Sequence, residues 1–169
     1  MTKRLIQKKI CLLGDFAVGK TSLIRRYVEE KYDEKYLSTI GVNISRKSVE
    51  MDDYILNMLI WDLAGGDDFS KVGHSYLSGA VAALIVCDLT RQETMQHYEF
   101  YATQMRNMNP RVKLLFAGNK SDLEPDHCID RKELASFSSS LGGQFFATSA
   151  KTGFHVEEAF RHLAEQIEI

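Results

Sequence analysis

The chain has 169 residues, 44% hydrophobic and 26% charged, with a formal net charge of −2. That length suits one domain, able to bury about two-thirds of its unfolded surface. A balance so close to neutral argues against nucleic acid as a main partner, because phosphate binding would call for a basic face, and the short basic start "MTKRLIQKK" does not change this.

Apolar runs of strand type alternate with helical patterns along the chain. "KKICLL" predicts a short strand that runs into Gly14. "KTSLIRRYVEEKY" carries apolar residues at helical spacing through Leu23, Ile24, Tyr27 and Val28. "VNISRKSVEM" alternates, "DD" at 52–53 turns the chain, and "YILNMLIW" returns it, which predicts an antiparallel hairpin. "AVAALIVCDL" and "VKLLFAGN" are continuous apolar runs, as central parallel strands covered on both faces require. "QFFATSA" predicts a shorter last strand, and helices are expected over Glu93–Met108, Arg131–Leu141 and Phe154–Ile167.

The sum is six strands and about five helices, a three-layer α/β sandwich whose mostly parallel sheet carries one antiparallel edge hairpin. Cys11, Cys87 and Cys128 lack metal spacing, and the first two lie in apolar runs, which suits a reducing cytosol. No signal peptide or transmembrane run is present, and "AEQIEI" holds no cysteine for a prenyl group, so a cytoplasmic chain without a membrane anchor in this sequence is expected.

In such sheets ligands bind beyond the carboxyl ends of the strands, so the loops there carry the chemistry. The first, "GDFAVGKT" (Gly14 to Thr21), fits G-x-x-x-x-G-K-[ST] between a strand and a helix. Glycines let successive N–H groups face phosphate oxygens, and the helix adds its positive end. Lys20 supplies a charge to the terminal phosphates, and Thr21 a hydroxyl to Mg²⁺. About 100 residues later comes "NKSD", Asn119–Asp122. Asp122 can accept from the N1–H and exocyclic amine of guanine, whereas adenine offers no matching donor pair. The Lys120 stem can lie over the base or sugar. In "TSAKTG" a backbone N–H near Ala150 is placed to reach the guanine carbonyl oxygen, with Ser149 and Lys151 beside it.

These motifs, together with "TIGV" and "WDLAG", occur in the order and spacing of the Ras superfamily of small GTPases, and the resemblance covers nearly the whole chain. "STIGV", "IWDLAG", "SYLSGA" and "LIVCDLT" are most similar to the Rab branch. The resemblance implies one G domain over residues 1–169, a monomer that binds GTP or GDP with Mg²⁺ and hydrolyses GTP. It also implies a switch in vesicle trafficking or signalling, which meets effector, exchange and activating proteins through residues 33–46 and 62–78. The implied nucleotide contacts run through Gly14, Asp15, Phe16, Ala17, Val18, Gly19, Lys20, Thr21 and Ser22. Thr39 matches a residue that joins Thr21 on Mg²⁺ and touches the γ-phosphate, and Asp62 matches the carboxylate that holds Mg²⁺. Gly65 matches the glycine whose N–H senses the γ-phosphate. Tyr32 falls where an aromatic ring meets the guanine edge and Tyr36 where a tyrosine covers the phosphates; both also read as ordinary loop aromatics, and Thr39 as a strand cap.

Two residues depart from the pattern. The family places a glutamine after "DLAG", and its amide orients the attacking water; here stands Gly66. The family usually has a small residue at Phe16, where a ring would crowd that water and any arginine from a partner. Asp67, Asp68 or His74 could replace the glutamine, and the Phe16 ring could swing away onto a switch residue. Lys35, close before Thr39, is a poor substitute for a planar guanidinium. Weak intrinsic hydrolysis is the expectation, with Lys20, Thr39, Gly65 and Gly66 as the catalytic set. The alternative is a GTP-loaded scaffold that does not hydrolyse, and Asp122 argues against an ATP-dependent kinase or ATPase.

Overall fold

The computed structural model describes residues 2–32, 41–66, 69 and 73–169, with Gly73 and His74 as backbone. The predicted Thr39, Tyr36, Asp67 and Asp68 lie outside the described residues.

Six strands form one sheet: β1 (Arg4–Gly14), β2 (Val42–Glu50), β3 (Tyr54–Leu63), β4 (Ala80–Asp88), β5 (Lys113–Asn119) and β6 (Gln144–Ala147). Their order is β2-β3-β1-β4-β5-β6. β2 and β3 pair antiparallel through the turn at 52–53, and every other neighbour pair is parallel. The described α-helices are α1 (Lys20–Glu29), α2 (Gln92–Gln96), α3 (Tyr98–Met108), α4 (Arg131–Ser140) and α5 (Val156–Gln166).

The continuous apolar runs are explained by burial on both faces. Along β1, Ile10 and Leu12 face one core, which α1 and α5 cover with Leu23, Tyr27, Phe160 and Leu163. Cys11 and Leu13 face the other, with Tyr98, Ala102 and Met105 of α3 and Leu134 of α4. Tyr27 stacks on Phe160 with ring centroids 4.1 Å apart, which joins α1 to α5 and contributes about 0.5–1.5 kcal/mol beyond the area buried. Burial pushes the Cys11 and Cys87 thiols up to about 12, so both behave as small apolar residues.

One predicted element is corrected. The helix expected over Glu93–Met108 is two helices that meet at His97, which ends the first and caps the second (φ −85°, ψ −1°). The His97 ring bonds the Asp15 carboxylate across the cleft, an anchor that apolar periodicity does not reveal. Among the described residues no helix is long and apolar enough to cross a membrane.

Candidate nucleotide site

The loop between β1 and α1 curls at the carboxyl edge of the sheet. Its Lys20 is only 6% exposed, and its ammonium donates to the carbonyls of Gly14 (2.9 Å) and Asp15 (3.1 Å). Burial pulls the Lys20 pKa down to about 8, and the Asp62 and Asp15 carboxylates oppose that. Among the described residues the hydrogen bonds of this buried cation go to carbonyls, which leaves it well prepared for an anion.

Next to it the Thr21 hydroxyl donates to Asp62 Oδ2 at 2.5 Å. Asp62 is 2% exposed near the end of β3, so strand and loop bring together two residues 41 apart in sequence. Among the described residues no group of three or more His, Cys, Asp or Glu assembles. The Thr21–Asp62 pair is the sparse, hard-oxygen kind of site that Mg²⁺ completes with phosphate and water oxygens, so the residues present fit that ion.

A pocket of about 200 Å³ opens beside this loop, lined by Gly19, Ser22, Tyr32, Asn119, Lys120, Asp122, Leu123, Ala150 and Lys151. The sequence thus separates these lining residues by more than a hundred positions, and the fold gathers them. Ser149, fully buried, donates to Asp122 Oδ1 at 2.7 Å and fixes the carboxylate that faces the pocket. Asn119 lines the pocket but spends its amide elsewhere: Nδ2 donates to the Val18 carbonyl at 2.9 Å, and Oδ1 accepts from the Thr148 hydroxyl at 3.2 Å. It therefore ties the "NKSD" loop to the loop between β1 and α1.

Lys120 holds a left-handed backbone (φ 66°) that L-residues seldom adopt. Its ammonium bonds Asp88 Oδ2 at 2.8 Å, and this ion pair helps hold the turn. Burial pushes the Asp88 carboxyl up, yet hydrogen bonds from Lys120 and Thr90 outweigh that and hold it below the usual carboxylate range. Asp88 also carries Arg91, whose other arm donates to the Phe16 carbonyl at 2.7 Å. Neither Asp88 nor Arg91 was among the expected site residues; a carboxylate at the carboxyl end of a central strand, in "CDLT", was the available signal.

The other end of the cleft is built from backbone. A Cβ on Gly65 would fall 2.3 Å from the Gly14 carbonyl oxygen, so Gly65 lies directly on the phosphate loop. Gly66 adopts φ +63°, a left-handed value, and its N–H donates to the Tyr101 hydroxyl at 3.4 Å. That hydroxyl in turn donates to Asp15 Oδ1 at 2.9 Å. Burial, with the Asp15 charge, pushes the Tyr101 phenol well up and keeps it neutral. The Asp15 side chain is thus committed to Tyr101 of α3 and to His97 just before that helix, a contact the sequence reading missed; the four-residue spacing of those two was the available hint. Phe16 is 57% exposed, and its Cβ stands 4.0 Å from where a side chain on Gly66 would begin.

Residues 9–169 match the model of the Ras family. The chain is similar to Ras-related protein Rab-2B of Dictyostelium discoideum, at 36% identity over 160 residues, which cover 94% of this chain and 79% of that protein.

Proposed function

We propose, since this chain belongs to the Ras family of small GTPases, that it is a guanine-nucleotide switch with intact binding parts and weakened hydrolytic ones. As a member of that family it binds GTP and GDP with Mg²⁺ and meets regulators and effectors. Residues 1–169 act as one G domain and as a monomer. Lys20 and the loop N–H groups hold the phosphates, and Asp122, fixed by Ser149, reads the guanine edge. Thr21 and Asp62, with Thr39, hold Mg²⁺, which when bound neutralises phosphate charge.

The observation that carries the weak-hydrolysis reading is Gly66. It has no side chain to orient water, its amide faces Tyr101, and Phe16 stands beside it. Arg91 reaches the same loop, but its guanidinium is engaged by the Phe16 carbonyl and the Asp88 carboxylate. Partners meet residues 33–46 and 62–78, where Ile44 is 51% exposed. The likeness to Rab-2B supports a place in vesicle trafficking.

The test is to identify the nucleotide in the purified protein and follow its γ-phosphate over hours. Bound GTP that decays slowly supports the proposal; rapid decay to GDP overturns it. No decay at all would favour the GTP-loaded scaffold, the alternative that shares every binding residue.

A further inference from the structure

We propose that Arg26 on α1 is a specificity-determining positioning residue, which sets the Ala150 N–H against the 6-oxygen of the base; the inference rests on the guanine reading above. Arg26 Nε donates to the Ala150 carbonyl at 2.8 Å, and a second guanidinium nitrogen donates to the Lys151 carbonyl. One planar fork therefore holds two consecutive carbonyls of the loop after β6. Gly153, further along that loop, lies against the arginine stem, where a Cβ would sit 3.7 Å from Arg26 Cδ.

Several other donors of the loop are committed within it. The Ser149 N–H bonds the Phe154 carbonyl at 3.0 Å and the Gly153 N–H bonds the Ser149 carbonyl at 2.8 Å. The Thr152 N–H bonds the Ser149 hydroxyl at 3.1 Å. Among the described residues the Ala150 N–H gives no such bond, although Ala150 is only 4% exposed and lines the base pocket. A buried N–H without a protein acceptor, on the wall of a pocket, points to an acceptor on the ligand.

Arg26 also stands on a rigid support. α1 begins at Lys20 in the phosphate loop, and the Tyr27–Phe160 stack fixes it on α5. The guanidinium thus sets the distance between the phosphate loop and one half of the base reader. Ser149 and Asp122 form the other half, which faces the N1–H and the exocyclic amine. The two halves recognise different atoms of one ring, so a base analogue can separate them.

The experiment measures affinities of the unmutated chain, Arg26→Met and Arg26→Lys for three triphosphates. GTP and inosine triphosphate both carry the 6-oxygen; 6-thioguanosine triphosphate keeps the N1–H and the amine and puts a weakly accepting sulfur in that oxygen's place. Both variants should lose affinity for the first two nucleotides, by about tenfold in Arg26→Met, the scale of one charge-assisted hydrogen bond. Arg26→Lys should lose less, because a lysine keeps the charge but not the fork. The 6-thio nucleotide should bind all three chains nearly alike, which reports a folded site in the same samples. An equal loss on all three nucleotides, or no loss on any, would overturn the arginine's role. Failure of the unmutated chain to bind GTP would overturn the guanine reading, and this inference with it.

Discussion

At the "NKSD" end of the cleft, Thr148 bonds Asn119 and Ser149 bonds Asp122, two hydrogen bonds with three of the four residues at most 2% exposed. At the phosphate mouth the corresponding parts are a glycine with no side chain, a phenylalanine more than half exposed and a long bond to a tyrosine. The first region is rigid because each buried polar group has a partner, and leaving one unpaired would be costly. Among the described residues the second keeps its backbone contacts, and Gly66 brings no side chain to it. Under the proposed function recognition and turnover draw on separate residues, so that one could weaken while the other stands.

The largest effect should come from the base end. Asp122→Ala removes both acceptors for the guanine edge, and sites of that kind discriminate by roughly 10⁴–10⁵. Competition between GTP and ATP should then approach equality; an unchanged preference would mean that another group reads the base. Ser149→Ala leaves the carboxylate in place but frees it to turn, so GTP affinity should fall about tenfold in the same assay.

Gly65→Ala addresses the mouth directly. Its methyl would collide with the phosphate-loop backbone, so this segment must lift away. The preference for a GTP analogue over GDP should drop about tenfold, within the usual range of such couplings, and calorimetry with both ligands would measure it. The smallest effect belongs to Tyr101→Phe, which removes the bridge from Gly66 to Asp15 but keeps the ring against Phe69. Amide exchange at residues 65, 66 and 69 should quicken a few-fold while the core strands stay protected. Unchanged exchange there would show that the bridge holds nothing.

The contrast also marks how far the sequence could be read. The phosphate loop, "NKSD" and the parallel strands were legible because spacing and two-sided burial leave direct traces in residue order. Arg26, Asp88, Arg91, His97 and Tyr101 were not, because each acts on a partner brought near by the fold: Arg26 on a carbonyl 124 residues away, Tyr101 on a carboxylate 86 away. The division of the expected helix at His97 has the same origin. Asn119 was legible in its motif, but the bonds by which its amide bridges two loops were not. Gly66 was legible as a missing side chain, but its left-handed backbone was not, and that backbone raises the barrier to restoring a glutamine by about 1–2 kcal/mol.

Single-turnover hydrolysis of pre-loaded GTP tests the separation of binding from turnover most directly, in the unmutated chain, Gly66→Gln, Phe16→Gly and the double variant. Gly66→Gln alone should gain little, because its side chain would start 4.0 Å from the Phe16 Cβ on a strained backbone. The double variant should gain more than the product of the two single effects, since adjacent residues couple. An unmutated chain that already hydrolyses GTP as fast as the double variant would contradict this account and assign the water to another side chain.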